Sequence, residues 1–403
     1  MSGAGKLSVG LYTYSTQPRG SVVHCAALAD ALVEAGHNVT VYALAKPGAE
    51  NFFRSLDAQL VSIACEAAPP TLEALIEQRI SEFARCVREL SPVHDVHHAQ
   101  DSLAANALLR ARPKRGSVVR TVHHVEQFAS ASLELCQARS ICDSDLVLSV
   151  SDATRHDVMT QYGVASERVH NGVDTARFER SPTQRDNDVA QLRARLGIGA
   201  AHPVIVSFGG IEPRKNTLRL LDAFVALRKR EPSARWVVVG GASILDHSAY
   251  RDEFERRLAS YGPEDQRAVV CTGVLSDAQI TACYALADVV AAPSLREGFG
   301  LCALEALAAG VPVVAAERAP FTEFLDQDNA ILIDPENTDE LAAALRRALS
   351  YDGRAERVQS GLVRARRFRW SHVASEHQEL YERLIELGPS PKLARPAEGR
   401  GHA

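Results

Sequence analysis

Short apolar strands alternate with amphipathic helices in both halves of this 403-residue chain. Near the start, apolar residues at 7–14 are followed by a loop, a helical pattern at 22–35 and a second apolar run at 38–44. A strand–helix–strand unit of this kind is typical of a parallel sheet, because parallel strands need a crossover connection. The second half repeats the plan from residue 203 onward. The alternation therefore predicts an α/β fold with a parallel sheet in each half.

The length allows two domains, each with its own core. Residues 179–189 are rich in Arg, Ser, Pro, Asn and Asp, which is the composition of a linker. We therefore predict one domain at 1–185 and a second at 190–365, followed by a C-terminal helix at 366–387. Residues 388–403 are rich in Pro, Gly and Arg and poor in apolar side chains, so we predict a disordered tail.

The net charge of −5 argues against a dedicated nucleic-acid binder, which would usually be basic. No apolar run approaches the roughly 18 residues that a membrane span needs. The N-terminus has no apolar core of the length found in signal peptides. We therefore predict a cytoplasmic protein with no transmembrane segment. Arginines at 364, 366, 367 and 369 leave a peripheral membrane contact open, although a solvated helix face is the simpler interpretation.

The sequence does not predict a metal site. None of the eight cysteines forms a Cys-x-x-Cys pair, and no His-x-x-x-His with a nearby carboxylate stands out. We expect reduced, mostly buried thiols. His97 and His98, in a predicted strand, are expected to be structural. His123 and His124 end the next strand, where alternation allows at most one of them to face a ligand.

The segment from Ser294 to Ala316 combines a glycine-rich loop, a helix and a strand. The loop Glu297-Gly-Phe-Gly300 precedes a Leu- and Ala-rich run that favours a helix and stops at Gly310. A glycine turn at a helix N-terminus attracts anions, because free N–H groups and the helix dipole favour negative charge. Glu297 and Glu305 flank the turn. We therefore expect a ligand that carries both phosphate and hydroxyl groups.

Arg214 and Lys215 lie in a loop between a strand and a helix, after Gly209 and Gly210. A cationic pair at this position suits a phosphate, with Lys as a point charge and Arg as a fork. By itself the pair fits a solvated loop equally well.

Together these motifs resemble the glycosyltransferase family 4 group, also called glycosyl transferases group 1. The resemblance rests on Glu297-Gly-Phe-Gly-Leu301 and on Glu305-Ala-Leu-Ala-Ala-Gly-Val-Pro-Val-Val314. Asn171-Gly-Val-Asp174 and Asp95-Val-His-His-Ala-Gln-Asp101 match the family less specifically. The resemblance implies a GT-B fold, in which two Rossmann-like parallel-sheet domains face each other across a cleft. It also implies a retaining, metal-independent hexosyltransferase.

The resemblance also implies roles for individual residues. Glu305 would hold the ribose hydroxyls, and Glu297 would bind the donor sugar near the reacting carbon. Lys215, with Arg214, would pair with the diphosphate. His123 would lie near the transferred sugar. The remaining donor contacts would come from the backbone around two turns, namely Gly298, Phe299, Gly300 and Leu301 in the second domain and Gly20 and Ser21 in the first.

The implied co-substrate is a nucleotide-diphosphate sugar, with no further cofactor and no metal. The acceptor is a small molecule, lipid or glycan held by the first domain. Three positions depart from the family: Gly210 stands where an arginine is usual, Gly20-Ser21 where a glycine pair is common, and His124 where an aspartate is often found. Two alternatives stay open: a nucleotide-sugar binding protein without catalysis, and a nucleotide-sugar epimerase of the same fold. A dehydrogenase is disfavoured, because no Gly-x-Gly-x-x-Gly follows the first strand.

Overall fold

The computed structural model describes residues 5–46, 48–179, 181–241, 247–350 and 353–388. The chain divides into two compact units, here called unit 1 and unit 2. Unit 1 runs to Gly172 and resumes at Trp370, and unit 2 comprises Val173–Arg369. Residues 389–403, most of the predicted tail, lie outside the described residues.

In the described part of unit 1, seven parallel strands form one sheet in the order β3-β2-β1-β4-β5-β6-β7. The strands are β1 (Ser8–Thr13), β2 (Asn38–Ala45), β3 (Gln59–Ala64), β4 (Val96–Ala99), β5 (Ser117–Val122), β6 (Leu146–Ser149) and β7 (Glu167–Arg168). The helices before the crossing to unit 2 are α1 (Gly20–Glu34), α2 (Leu72–Leu90), α3 (Ser102–Ala111), α4 (Ala131–Cys142) and α5 (Asp152–Tyr162).

In the described part of unit 2, six parallel strands form a sheet in the order β10-β9-β8-β11-β12-β13. The strands are β8 (Val204–Phe208), β9 (Arg235–Val239), β10 (Val269–Cys271), β11 (Val289–Ala292), β12 (Val313–Ala316) and β13 (Ile331–Ile333). The helices are α6 (Pro182–Leu196), α7 (Thr217–Arg228), α8 (Ser248–Ala259), α9 (Pro263–Arg267), α10 (Asp277–Leu286), α11 (Leu301–Ala308), α12 (Thr338–Leu349) and α13 (Arg354–Ala365). Two parallel-sheet domains are thus confirmed.

The division between the units differs from the predicted boundary at 185–190. Residues 179–189 are not a linker, because α6 begins within them at Pro182. The side chain of Ser181 accepts a hydrogen bond from the Gln184 amide and caps this helix, which ends at Gly197 in the left-handed conformation. Most of the helix is exposed, so its polar composition reflects a solvated helix rather than a loop.

The last described helix, α14 (Trp370–Leu387), belongs to unit 1 although it follows unit 2 in sequence. It packs on α1 and contributes Val373, Ala374, Tyr381 and Leu384 to the core on that face of the sheet. A second core, with α2 and α3, covers the opposite face. The predicted helix at 366–387 is therefore an integral part of the first domain's core rather than a separate appendage.

Both sheets reverse their strand order beside their first strand. In unit 1, β1 lies between β2 and β4, and in unit 2, β8 lies between β9 and β11. Loops that leave neighbouring strands on either side of such a reversal run in opposite directions and open a crevice at the carboxyl edge, where ligands of α/β sheets bind. The loops after β1, β4, β8 and β11 are therefore where functional side chains should gather.

All eight cysteines are free thiols, in line with the expectation of reduced cysteines. Among the described helices, none combines the length and the apolar character needed to cross a membrane.

Candidate active site

The loops after β8 and β11 meet at the carboxyl edge of the unit 2 sheet. The amide of Leu295 donates to the carbonyl of Arg214 at 2.8 Å. The side-chain amide of Asn216 donates to the carbonyls of Pro293, at 3.1 Å, and Pro335, at 2.6 Å. Asn216 is in the left-handed conformation, with φ of +58°, and is buried. These bonds hold the loop of Arg214 and Lys215 against the loop of Glu297, although the two loops are far apart in the sequence.

Glu297 lies at the centre of this junction and bonds to three side chains. Its Oε1 accepts from Lys215 Nζ at 2.5 Å and from Ser294 Oγ at 2.8 Å, and its Oε2 lies 3.3 Å from Arg214 Nη1. Burial of the Glu297 carboxyl raises its pKa, but the charges of Lys215 and Arg214 outweigh burial and bring the pKa below its ordinary value. Glu297 is therefore an ionised carboxylate at neutral pH.

One of the two cations of this cluster, Arg214, is shared between two carboxylates. Arg214 Nε also lies 2.8 Å from Glu212 Oε2. The ammonium of Lys215, whose side chain is 12% exposed, uses one N–H on Glu297 and retains further donors for a ligand. The cluster therefore combines an ionised hydrogen-bond acceptor with a cation at the carboxyl edge of the sheet.

The glycine turn ends as predicted in a helix, α11. Gly300 precedes the first helical residue with φ of +96°, and a Cβ there would lie 2.4 Å from the ring of Phe321. Only glycine fits this combination of backbone conformation and close approach. Phe299 is buried and stacks on Phe324 at 4.9 Å between ring centroids. Its ring belongs to the core, so Phe299 can offer a ligand its main chain but not its side chain.

Glu305 projects from α11 and is held by two groups that the sequence did not identify. Its Oε1 lies 3.1 Å from Arg177 Nη1, and its Oε2 accepts from the Tyr284 hydroxyl at 2.7 Å. Burial raises the pKa of Glu305, and Arg177 opposes that rise. The spacing of Asp277, Thr281 and Tyr284, which places them on one helix face, is the sequence signal that could have identified Tyr284.

Gly210 has a structural reason to be glycine. Its φ is +73°, and a Cβ there would approach the carbonyl oxygen of Gly241 to 2.8 Å. Gly240 has φ of +133°, and a Cβ there would lie 2.7 Å from the amide nitrogen of Gly210. The two glycine pairs that follow β8 and β9 pack backbone against backbone. Residue 210 therefore has no room for the usual arginine, and Arg214 and Lys215 are two cations of the same loop.

The predicted residues of unit 1 also lie at a carboxyl edge. Strand β5 ends at Val122, so His123 is the first residue beyond it. His123 Nε2 lies 3.2 Å from Gln100 Oε1, and its ring meets the ring of His24 edge-on at 4.8 Å. Burial, helped by repulsion from His24, holds the pKa of His123 well below its ordinary value. His123 is therefore neutral at physiological pH.

Gly20 and Ser21 are the first two residues of α1, rather than part of the preceding loop as expected. A Cβ on Gly20 would have no atom within 4 Å, so the protein itself does not require glycine there. His124 is exposed and bonds to Glu126 at 2.7 Å, so of the two adjacent histidines only His123 joins the buried group.

The histidines of β4 are structural, as expected. His97 bonds to the Tyr12 hydroxyl at 2.8 Å, and His98 bonds to Thr121 and Tyr381, both at 2.6 Å. Within the residues that the structure describes, no group of three or more His, Cys, Asp or Glu side chains is arranged to hold a metal ion.

Two family models together match most of the chain. The model "Glycosyltransferase Family 4" matches residues 18–177, and "Glycosyl transferases group 1" matches residues 188–361. A D-inositol 3-phosphate glycosyltransferase of Salinispora arenicola is 30% identical over 326 residues, which is 75% of this chain and 72% of that protein. The chain belongs to the family 4, group 1 glycosyltransferases.

A second relative of this glycosyltransferase is a GDP-mannose-dependent alpha-(1-6)-phosphatidylinositol monomannoside mannosyltransferase of Mycolicibacterium smegmatis. It is 31% identical over 337 residues, covering 79% of this chain and 83% of the relative. The glycosyltransferase also resembles a sucrose-phosphate synthase from Thermosynechococcus elongatus, with a TM-score of 0.75 and 20% identity over 95% of this chain and 100% of the other. It also resembles HepE from Anabaena, whose structure contains UDP and glucose, with a TM-score of 0.75 and 19% identity over 93% of this chain and 99% of HepE. These likenesses show the GT-B fold.

Proposed function

We propose that this glycosyltransferase is a retaining enzyme that moves a sugar from a nucleoside-diphosphate sugar to a hydroxyl-bearing acceptor. The observation that carries the proposal is the Glu297–Lys215–Arg214 cluster beside the start of α11, with Glu305 one helix turn further on. It offers an ionised acceptor for sugar hydroxyls, cations for phosphate and a second carboxylate for ribose. The UDP and glucose bound to HepE, a protein of the same fold, are of the same ligand class.

Catalysis in this proposal consists mainly of stabilising charge. The bond between the sugar and the diphosphate breaks, and negative charge grows on the leaving phosphate. Lys215 is placed to meet that charge, and Arg214 and the amide end of α11 add to it, so the step needs no metal. In a retaining transfer the acceptor attacks the face from which the phosphate departs, and the leaving phosphate takes the acceptor's proton. Glu297 orients the sugar through its hydroxyls.

Unpartnered polar groups in unit 1 support a polyhydroxylated acceptor. Three buried side chains at the β1–β4 crevice and on α1 have a polar atom with no hydrogen-bond partner, namely Thr13 Oγ1, His24 Nε2 and Gln100 Nε2. Leaving such atoms unsatisfied costs roughly 1–3 kcal/mol each, so a hydroxyl-rich ligand that gains access to them would be stabilised by pairing with them. The named substrates of the relatives, inositol 3-phosphate and a phosphatidylinositol monomannoside, are molecules of this kind.

The test combines binding and turnover. UDP-, GDP- and ADP-sugars are screened for release of the nucleoside diphosphate, with and without D-inositol 3-phosphate, and the anomeric configuration of the product is read by NMR. We expect acceptor-dependent release, retention of configuration, and activity that survives chelation of divalent metals.

Variants then test the site assignment. Lys215→Ala and Glu297→Ala are expected to lower kcat by about 100-fold or more, comparable to the loss of one electrostatic donor in other enzymes. Arg257→Ala, which removes an ion pair of α8 with Asp222 of α7, is the matched control and should retain activity. Near-normal transfer by both site variants would overturn the assignment.

Two other outcomes would favour the rival functions. Binding of a nucleotide sugar without any product release would indicate a non-catalytic binding protein. Conversion of the nucleotide sugar without an acceptor would indicate an epimerase.

A further inference from the structure

Arg177, in the 3-10 helix Ala176–Phe178, is fixed by three polar partners in unit 2. Its Nε donates to Thr281 Oγ1 at 3.0 Å, its Nη1 lies 3.1 Å from Glu305 Oε1, and its Nη2 lies 2.7 Å from Asp277 Oδ1. All three guanidinium nitrogens are therefore engaged, so Arg177 is anchored rather than available for a phosphate.

Tyr284 is anchored as firmly on the other side of Glu305. Its ring is fully buried, stacks on Phe208 at 4.3 Å and meets the edge of Phe178 at 5.5 Å. Its hydroxyl donates to Glu305 Oε2. The carboxylate of Glu305 is thus held at both oxygens by groups that cannot move independently of the fold.

Glu305 keeps acceptor capacity in this arrangement. An ionised carboxylate has about four acceptor positions, and Arg177 and Tyr284 use one on each oxygen. The side chain is 18% exposed, so a ligand can reach it. One position on each oxygen is left, which matches the two neighbouring hydroxyls of a ribose.

We propose that Arg177 and Tyr284 are positioning residues that hold Glu305 ionised and oriented to accept both ribose hydroxyls of the donor nucleotide. The proposal rests on the proposed function and deepens it. Discrimination between ribose and 2′-deoxyribose then depends on Arg177, which does not itself touch the nucleotide.

The charges around Glu305 give this proposal a pH signature. The titratable and charged groups that face it are Arg177, Asp277 and Tyr284, with Cys302 on its own helix. Burial already raises the pKa of Glu305, and Arg177 is the positive charge that opposes this. Without Arg177 the pKa of Glu305 rises further, so the carboxyl is ionised to a smaller extent at the acid end of the pH range than at the alkaline end.

The experiment measures calorimetric affinities of UDP, 2′-deoxy-UDP, GDP and 2′-deoxy-GDP between pH 6 and pH 9. For the unsubstituted protein we expect the ribonucleotide of the preferred base to bind about 10- to 100-fold more tightly than its 2′-deoxy form. This ratio corresponds to the loss of one hydrogen bond to a charged group. In Arg177→Ala this ratio should fall to about threefold or less at pH 6 and recover as the pH rises. Arg177→Lys should keep part of the preference at every pH.

Tyr284→Phe keeps the ring packing and removes only the hydroxyl, so it tests the same assignment with little risk to folding. It should also lower the ribose preference. Arg257→Ala, an ion-pair deletion on α8, should leave the preference unchanged. A wild-type ribose preference in both Arg177→Ala and Tyr284→Phe, with no dependence on pH, would overturn the inference. Failure of the unsubstituted protein to bind any of the ribonucleotides would instead overturn the proposed function, and this inference with it.

Discussion

The packing around Gly210 explains one departure of this chain from its family. Gly210 combines a positive φ with a close approach to the backbone of Gly241, whereas Gly197 has φ of +67° and open space where a Cβ would lie. An arginine at 210 would meet backbone atoms that cannot rotate away, so the usual cation could enter only if both glycine pairs moved. Arg214 and Lys215, four and five residues further along the same loop, do supply positive charge at this edge of the sheet.

This difference leads to a direct comparison of two substitutions. Gly197→Ala should cost about 1 kcal/mol of unfolding free energy, because only the backbone conformation is unfavourable. Gly210→Ala should cost roughly 2–4 kcal/mol, because steric overlap adds to the same conformational cost. Urea unfolding of both variants measures the two values. Equal losses would contradict the close packing of the glycine pairs.

At the scale of elements, α14 shows that a helix at the end of the chain can belong to the core at its beginning. Tyr381 is fully buried and bonds to His98, which lies 283 positions earlier in the sequence. Trp370, at the start of the helix, meets the ring of His24 edge-on at 5.2 Å. The packing of α14 on α1 replaces the solvent that would otherwise reach one face of the first sheet.

Removal of α14 should therefore unfold unit 1. A chain that ends at Arg369 lacks the four side chains that α14 contributes to that core, namely Val373, Ala374, Tyr381 and Leu384. The larger ones contribute roughly 2–5 kcal/mol each, which together approaches the whole stability of a typical domain. We expect the shortened chain to lose a cooperative thermal transition measured by circular dichroism.

A chain that ends at Gly388 keeps α14 complete and is the control for this truncation. Leu384→Ala provides a graded version and should lower the unfolding free energy by roughly 2–4 kcal/mol. An unchanged melting temperature in the chain ending at Arg369 would show that α14 does not stabilise unit 1.

At the scale of the molecule, buried neutral histidines make stability depend on pH. Burial lowers the pKa of His24 to about 3 and those of His97 and His377 to about 4, and it holds those of His98 and His123 well below their ordinary value. Unfolded histidines titrate near 6.5, so below that pH the unfolded state binds more protons than the folded state. All five residues belong to unit 1.

We expect the unfolding free energy of unit 1 to fall as the pH is lowered from 6.5 to 4.5. Each histidine contributes a slope of up to about 1.4 kcal/mol per pH unit in this window. His377→Gln should lower the slope by up to about 1.4 kcal/mol per pH unit. His156 is an exposed residue of α5, so His156→Gln should leave the slope unchanged. Denaturant unfolding at four pH values measures the slopes. A flat profile would contradict the burial of neutral histidines.

The two sheets and the helix α11 could be predicted because their signals are local. Around Glu297 and Glu305, apolar runs, glycines and helix-forming residues occur within short stretches of sequence. Hydrophobic periodicity and the bounding glycines are enough to predict the strands and the helix. Reliance on local composition also explains why the segment at 179–189 was predicted to be a linker, although α6 begins there. Its composition is polar because one exposed helix lies there, and composition alone does not separate an exposed helix from a linker.

The sequence by itself determined the α/β class, the glycine turn, the two carboxylates and the cationic pair, because each depends on neighbouring residues. Only the tertiary structure showed that Glu297 is already paired with Lys215, that Arg177 and Tyr284 hold Glu305, and that α14 completes the first core. These contacts join residues that are 82, 128 and 21 positions apart and, for the bond between Tyr381 of α14 and His98, 283 positions apart. The strand order of the two sheets brings them together, and no short-range pattern encodes that order.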